Sequence, residues 1–378
     1  MIYPGFPTGF KTSLSRITAP FCREPFVNPD LLALCRLLSN RPRELTRLLK
    51  SRSPRDVLDQ DSSLIVNDAL KLDVEQDVNW LLAEEHHLIL LQDDDYPACL
   101  KQIHDPPFFL FGVGDRTVLT RYAERVAIVG ARKASQYALK QAMSIAETLG
   151  RYSVLVVSGL ALGIDAAAHE GALASGEATV AVLGSGCDQI YPRRHWRLAE
   201  RIQEKGLVVS EFPLRTPARP GHFPRRNRIV TGLSKATVVV EAALKSGSLI
   251  SAKLALAEGR EVMAVPGLVT NQQARGCHQL IRDGASLVES GEDVLKELGI
   301  GPGDTLDLSL TVQGLTHEQE RLLDLLEAGP VSMDALLSDL ELSIEDLTIA
   351  IVMLEVMGLV HSEGGRFQST RLRPSREL

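Results

Sequence analysis

The sequence has few cysteines, and none of them stand close together. Its five cysteines are spread along the chain with no Cys-x-x-Cys pair. This spacing argues against a disulfide framework and against a zinc site, so we expect neither a metal nor a cofactor. The cysteines are Cys22, Cys35, Cys99, Cys187 and Cys277.

Long apolar runs are also missing. No stretch approaches the roughly 20 apolar residues that a membrane helix needs. Residues 1–26 contain prolines and scattered polar side chains, but no apolar segment followed by a small-residue cleavage site. We therefore interpret them as a flexible extension rather than a secretory signal, and we expect a cytoplasmic protein without a membrane partner.

Positive charge is in the minority. The chain has 41 Lys and Arg residues against 48 Asp and Glu residues, a formal net charge of −7. This balance argues against a nucleic-acid partner unless the cations are clustered, because phosphate binding needs a local positive potential. The distribution of the cations is therefore more informative than their number.

The sequence pattern divides the chain into three structured modules. Residues 27–84 have leucines at helical spacing and indicate a small helical domain. Residues 85–299 alternate short β-branched runs with helical patterns, which is typical of a parallel sheet covered by helices. After a linker at 300–312, residues 313–370 predict three helices and a hairpin, the pattern of a winged helix, followed by a tail at 371–378.

Individual elements of the two larger modules can be predicted as well. In the winged-helix module, Thr316 and Gln319 form a capping box for the first helix, and residues 332–340 and 343–357 predict the other two. In the α/β module, strands are predicted at residues 126–129, 154–157, 179–183, 207–210, 237–240 and 261–265.

Glycine and serine are frequent in the loops that follow these strands. In an open parallel sheet such loops meet at one edge, where ligands bind. Gly130 and Arg132 follow the first predicted strand, Ser135 predicts a helix start, and the segment Ser246-Gly247-Ser248 predicts another. Backbone amides at helix starts beside a guanidinium form phosphate sites, although a tight turn with a surface arginine accounts for the first loop equally well.

The second predicted strand leads into Ser158 and Gly159. A dinucleotide-binding protein places an acidic residue near this point to hold a ribose hydroxyl, so an NAD site is disfavoured. Asp165 and His169 lie four residues apart on one face of the next predicted helix and could form an acid–base pair. Helix capping and local hydrogen bonding account for them more simply.

Two further segments combine arginines with aromatic rings. Arg193 and Arg194 lie between Tyr191 and Trp196, which suits a phosphate contact with base stacking, or equally a surface turn with a buried Trp196. Residues 223–228 read FPRRNR, and like charges this close repel one another unless an anion faces them. We predict that this cluster binds a polyanion.

These loops together form one predicted binding rim, with no catalytic residue among its members. The rim comprises Gly130, Arg132, Ser135, Ser158, Gly159, Arg193, Arg194, Phe223, Arg225, Arg226, Asn227, Arg228, Ser246, Gly247 and Ser248.

The same segments, taken in order, closely resemble the DprA (Smf) family over nearly all of residues 86–298. The stretches that carry the resemblance include VAIVGARKAS from residue 126, VSGLALGIDAAAHEGAL from 157, AVLGSGCDQIYP from 181, FPRRNRIVTGLS from 223 and VVVEAALKSGSLISAKLALAEGREVMAVPG from 238. Two positions depart from the family pattern, because His278 stands in place of an asparagine and Ile250 in place of a common threonine.

The resemblance implies a Rossmann-like α/β domain that binds single-stranded DNA and forms a homodimer. It further implies protection of incoming strands and their transfer to a RecA-type recombinase in natural transformation. Carried over residue by residue, the family's DNA pocket falls on Arg132, Arg226, Asn227 and Arg228, and on the basic residues after Pro192. We interpret the N-terminal helical domain, which lacks a Gly-Ile-Gly hairpin, as a SAM-like structural module.

Two other functions fit parts of the pattern. A nucleotide-processing enzyme on a related phosphoribohydrolase-type fold would use Glu241 and Asp165 as acid–base groups, but no Walker Gly-Lys-Ser/Thr segment is present. A transcriptional regulator would place the third helix of the winged module in the major groove, but residues 313–357 hold ten carboxylates and Arg321 as their only Lys or Arg. We therefore expect no enzyme, and a winged module that engages protein or the rest of the chain.

Overall fold

The computed structural model describes residues 28–300 continuously and parts of the C-terminal region. The described C-terminal residues are 321–323, 325–326, 329–340, 347–348, 350–351, 354, 359–363 and 366–369. The predicted extension at 1–26, the linker from residue 301 onward, the capping box at Thr316 and the C-terminal tail lie outside the described residues. The chain forms two compact units, one ending at Pro302 and the other beginning at Gly303.

A mixed sheet lies at the centre of the larger unit. Its strands, within residues 28–300, are β1 (His86–Leu90), β2 (Phe109–Gly114), β3 (Arg125–Val129), β4 (Leu155–Ser158), β5 (Thr179–Val182), β6 (Leu207–Ser210), β7 (Ala236–Val239), β8 (Glu261–Ala264) and β9 (Ser286–Leu287). The strand order is β1-β2-β6-β5-β4-β3-β7-β8-β9. Strand β2 runs antiparallel to both neighbours, and the remaining neighbours pair in parallel.

The six strands predicted from the sequence, β3 to β8, are confirmed, each within one residue of its predicted bounds. Successive residues of β3 face opposite sides of the sheet, as a pleated strand requires. Val126 and Ile128 belong to the apolar cluster on one face, and Ala127 and Val129 to the cluster on the other. Both faces are therefore covered, which is why these strands are mostly apolar.

Helices cover the two faces of the sheet. They are α1 (Pro29–Leu37), α2 (Pro42–Leu49), α3 (Pro54–Gln60), α4 (Asp68–Leu81), α5 (Ala98–Lys101), α6 (Val118–Arg121), α7 (Gln136–Arg151), α8 (Ile164–Ala174), α9 (Trp196–Lys205), α10 (His222–Gly232), α11 (Ser248–Ala257), α12 (Arg275–Arg282) and α13 (Gly291–Glu297). Helices α7, α8 and α13 pack on one face, and α5, α10, α11 and α12 on the other. No helix among the described residues combines the length and the apolar character needed to cross a bilayer.

The winding of the chain changes direction between β3 and β7. From β3 the chain proceeds through β4 and β5 to β6 on one side, and it then crosses to β7 and continues to β8 and β9 on the other. Strands β3 and β7 are hydrogen-bonded neighbours at this point. A crevice opens beyond the carboxyl ends of such neighbouring strands, and ligands bind there in doubly wound folds.

The N-terminal helices pack against β2, which lies next to the edge strand β1. Phe109 and Phe111 of β2 share one apolar cluster with Leu32 and Leu34 of α1. Both carboxylate oxygens of Asp77, on α4, accept hydrogen bonds of 2.6 Å from the Arg36 guanidinium of α1. We call helices α1 to α4 the helical segment. The helical segment and the sheet therefore share one apolar core.

The described residues of the smaller unit agree with a winged helix. The predicted second helix is present as Met333–Leu340, and a sheet in the order β10-β12-β11 is formed by β10 (Val331–Ser332), β11 (Val360–Glu363) and β12 (Arg366–Ser369). The predicted hairpin is confirmed by the pairing of β11 with β12. The predicted third helix lies largely outside the described residues.

Candidate nucleic-acid interface

A cleft of about 690 Å³ lies at the edge of the sheet where the winding changes direction. Its walls come from the loops after β3, β4, β5, β6 and β7, together with the first turns of α10 and α11. Among the described residues that line it are five cations, against Asp165 as the one carboxylate. We call it the basic cleft; its cations are Arg132, Lys133, Arg219, Arg226 and Lys245.

Arg226 is the buried cation of the basic cleft. Its side chain projects from α10, is 4% exposed, and has no hydrogen-bond partner for Nε among the described residues. Burial raises the pKa of the nearby Asp165, and the charge of Arg226 opposes that rise. A guanidinium that is buried but incompletely partnered is available to an anion that enters the cleft.

Gly159 provides the space that the Arg226 guanidinium occupies. A β-carbon built on Gly159 would lie 1.3 Å from Arg226 Nη1, so any other residue here would displace the guanidinium. The amide of Gly159 donates to Asp165 Oδ2 at 3.2 Å, and the amide of Ala161 donates to the same oxygen at 3.3 Å. The loop after β4 therefore positions the buried cation and its counter-charge together.

Aromatic rings lie beside the exposed cations. The Arg132 guanidinium lies 4.8 Å from the centroid of the Phe223 ring, and the ring of Tyr191 lies 5.8 Å from that of Phe223. Tyr191, Phe223 and Asn227 all line the basic cleft. Charges that contact phosphate next to rings that stack on bases are the combination found in grooves for single-stranded nucleic acid.

The start of α11 closes one side of the basic cleft. Ser246, Gly247 and Ser248 line it, as predicted. The Ser248 hydroxyl donates to the carbonyl oxygen of Gly130 at 2.7 Å, which joins the loop after β7 to the loop after β3.

Three cations of the basic cleft were not predicted from the sequence. Lys133, Arg219 and Lys245 are exposed, and none of them forms an ion pair with any residue that the structure describes. Lys133 follows the predicted Arg132, and Lys245 precedes the predicted Ser246. Their positions next to the glycine loops could therefore have indicated that they line the cleft. Arg219 stands in a proline-rich loop and gives no signal of its own.

Two serines of the predicted rim serve the fold instead of lining the basic cleft. The Ser158 hydroxyl is buried and donates to the carbonyl oxygen of Ile128 at 2.6 Å. Ser135 caps α7, as predicted for a helix start, and its hydroxyl donates to Glu241 Oε2 at 2.6 Å.

Arg225 and Arg228 turn away from the basic cleft. Both guanidinium groups donate to Oε2 of Glu211, which is buried in the segment after β6. Arg225 also reaches Asn40, in the turn between α1 and α2, at 2.6 Å. Of the predicted FPRRNR cluster, the structure therefore brings Phe223, Arg226 and Asn227 to the basic cleft and ties the other two arginines to an internal carboxylate.

The two carboxylates considered for acid–base chemistry lie in different cavities. Asp165 lines the basic cleft, whereas Glu241 lines a second cavity of about 750 Å³ and accepts hydrogen bonds from Ser135 and Asn271. His169 is hydrogen-bonded to Thr179 Oγ1 at 2.8 Å rather than to Asp165, and burial lowers its pKa to about 3. The structure does not bring these three groups together.

The described residues contain no cluster of three or more His, Cys, Asp or Glu side chains that could hold a metal ion.

Comparison with known proteins gives a consistent result for both units. A family model described as DNA recombination-mediator protein A matches residues 87–299, and one described as DprA winged helix domain matches residues 309–366. Protein Smf of Escherichia coli (strain K12) is 45% identical over 229 residues, which are 60% of this chain and 61% of that protein. DNA processing protein DprA of Streptococcus pneumoniae is 43% identical over 205 residues, which are 54% of this chain and 72% of that protein.

Solved structures are similar as well. The X-ray structure of DNA processing protein A from Streptococcus pneumoniae has 34% identity and a TM-score of 0.60, and the alignment covers 72% of this chain and 98% of that one. DNA processing protein A from Helicobacter pylori, solved for its single-stranded-DNA-binding mode, has 30% identity and a TM-score of 0.51, with coverage of 56% and 95%. The match spans only about three fifths of the E. coli relative's own length.

Proposed function

This chain belongs to the family of DNA recombination-mediator protein A. We propose that it binds single-stranded DNA in the basic cleft and acts as a recombination mediator. The observation that carries the proposal is the composition of the cleft. Five cations and two aromatic rings gather around one buried carboxylate, on a chain whose formal net charge is −7. The similarity to a Helicobacter pylori protein studied for its binding of single-stranded DNA supports the same ligand.

Each part of the cleft has a role in this binding. Arg226 and Arg132 contact phosphates, since a guanidinium forms strong charge-assisted hydrogen bonds with phosphate oxygens. Phe223 and Tyr191 offer ring faces on which bases stack, and stacking tolerates any base because every base has a π-face. Lys133, Arg219 and Lys245 attract the strand from the rim of the cleft. Binding of this kind does not depend on sequence.

The unmodified chain is expected to bind fluorescently labelled oligothymidine with an affinity that falls steeply as salt rises. Each phosphate that a cation neutralises contributes about −0.7 to the slope of log K against log salt concentration for a single strand, so the five cations predict a slope of about −3.5. Fluorescence anisotropy over a range of sodium chloride concentrations measures it. A flat salt dependence would contradict the proposal, and equal affinity for a duplex of the same length would contradict its preference for single strands.

We further propose that the chain protects the bound strand and delivers it to a RecA-type recombinase, in the cytoplasm, during natural transformation and in DNA repair. ATP hydrolysis by a RecA-type recombinase on DNA coated with a single-strand-binding protein tests this step. The unmodified chain should shorten the lag before hydrolysis, and a variant that no longer binds DNA should not.

The same proposal includes a homodimer formed through the Rossmann-like domain. Leu268 and Val269 in the loop after β8, and Leu287 in β9, are large apolar side chains that are exposed, which supports a protein contact in this region. Light scattering on the whole chain should give the molar mass of a dimer, and the mass of a monomer would contradict this part of the proposal.

The winged-helix domain is proposed to engage protein rather than DNA. Ten carboxylates and one arginine in residues 313–357 would oppose a phosphate backbone. Deleting residues 305–378 is therefore expected to change the affinity for oligothymidine by less than about tenfold, which is 1.4 kcal/mol. The larger compact unit ends at Pro302, so the deletion leaves it intact. A larger loss of affinity in anisotropy titrations would assign a DNA role to this domain.

A further inference from the structure

Trp196 stands at an exposed corner beside the basic cleft. It is the first residue of α9 and is 48% exposed, in contrast to the buried tryptophan that a simple surface turn predicts. Helix α9 follows β5, a parallel strand of the sheet, and therefore begins at the same edge of the sheet as the cleft. We call residues Arg193, Arg194, Trp196 and Arg197 the tryptophan corner.

The tryptophan corner carries three exposed arginines. Arg193, Arg194 and Arg197 form no ion pair with any residue in the described part of the chain, whereas Arg201, one turn further along α9, pairs with Glu170 at 2.6 Å. The Arg197 guanidinium lies 5.2 Å from the centroid of the Trp196 ring. A flat aromatic surface with three uncompensated cations around it suits a polyanion that also presents flat apolar groups.

One chain connection and one hydrogen bond place the tryptophan corner beside the basic cleft. Tyr191, which precedes the corner by two residues, lines the cleft. His195, between Arg194 and Trp196 in the chain, donates from Nδ1 to the carbonyl oxygen of Leu160 at 2.9 Å, and the residue after Leu160, Ala161, also lines the cleft. The corner therefore lies next to the cleft.

We propose that the tryptophan corner is a second subsite for single-stranded DNA, on which a base of the strand leaving the basic cleft stacks against Trp196. Arg197 contacts a phosphate next to that base, beside Arg193 and Arg194, which the family resemblance already places in the DNA pocket. This proposal rests on the proposed function, because the strand must occupy the cleft before it can extend to the corner. It assigns Trp196 and Arg197 to the interface, neither of which lines the cleft.

Tryptophan fluorescence tests the subsite directly. The chain has two tryptophans, Trp80 and Trp196, and Trp80 is stacked on His86 in the helical segment with ring centroids 3.8 Å apart. A Trp80→Phe variant therefore leaves Trp196 as the only reporter. In titrations with oligothymidines of about 4 to 16 nucleotides, the shortest should bind without quenching, and quenching should begin at the length that spans both subsites.

Affinity gives a second readout. Trp196→Ala should weaken binding of the longest oligothymidine by about tenfold, the effect of losing one stacked base, and should leave the shortest unaffected. Trp196→Phe should restore most of the affinity. Because the side chain is half exposed, its loss should not change the melting temperature, and circular dichroism checks this.

The outcomes separate this proposal from the one on which it rests. If long oligothymidines bind tightly without quenching Trp196, and Trp196→Ala has no effect on them, the subsite is overturned while the function of the cleft stands. If the unmodified chain binds no oligothymidine of any length, both proposals are overturned.

Discussion

An Arg226→Ala variant is expected to bind oligothymidine about 10- to 100-fold more weakly than the unmodified chain. The reason is that a hydrogen bond to a charged group contributes about 1.5–3 kcal/mol. The Arg226 side chain is already buried at 4% exposure, so little side-chain entropy is lost when it meets a phosphate. Anisotropy titration at fixed salt measures the loss, and the salt slope should become shallower by about 0.7.

The matched control is Arg151→Ala. Arg151 lies in the last turn of α7, at the opposite edge of the sheet, and pairs with Glu147 on the surface. The Arg151→Ala variant loses the same charge as Arg226→Ala and is expected to bind oligothymidine with unchanged affinity. If both variants lose affinity equally, the effect is that of net charge alone and the role of Arg226 is refuted.

A Gly159→Ala variant is also expected to weaken the binding of oligothymidine, because it displaces Arg226 without removing it. The added β-carbon would overlap Arg226 Nη1, so the guanidinium must move although it is still present. Its affinity should fall toward that of Arg226→Ala. Normal affinity in this variant would mean that the position of the guanidinium does not matter for binding.

A Glu211→Ala variant is expected to lose about 3–5 kcal/mol of unfolding free energy, the range for breaking a buried ion pair by removing one partner. Glu211 is 2% exposed and is the shared acceptor for Arg225 and Arg228. Its removal leaves Arg228 buried without that charge partner. Urea unfolding followed by circular dichroism measures the change.

Glu170→Ala is the control for this loss. Glu170 pairs with Arg201, and both side chains are well exposed, so the expected change is at most about 1 kcal/mol. Similar losses for the two variants would show that the Glu211 cluster contributes no more to stability than a surface pair does. Glu211→Gln should fall between them, because an amide oxygen still accepts one hydrogen bond.

The sequence was most informative about the strands that are buried on both faces. Strands β3 to β8 are short, mostly apolar runs, and most of them end at or near a glycine, serine or proline, a pattern typical of strands covered on both sides. Strands β1, β2 and β9 were missed. Strand β2 is apolar, but its two glycines and the preceding Pro106 and Pro107 weaken the local strand signal, and its pairing with β1 and β6 stabilises it as a strand.

The sequence indicated which loops meet at the basic cleft, but not which way each arginine points. The FPRRNR segment indicated clustered arginines, but on a helix each residue points about 100° from the last. Arg225 and Arg228, three apart, share the side that faces Glu211, and Arg226 and Asn227 face the basic cleft. Glu211 lies on a separate segment of the chain, so no local pattern could assign it as their partner.

The contact between Arg225 and Asn40 has a consequence for the smallest piece of this protein that can work alone. Helix α10, which carries Arg226, is held through the neighbouring Arg225 to Asn40 in the turn between α1 and α2. Helix α1 also packs against Phe109 and Phe111 of β2. A fragment trimmed to begin at residue 85 would expose two phenylalanines and release one end of that anchor. The helical segment thus stabilises the position of α10, and a minimal version of the protein is expected to need it.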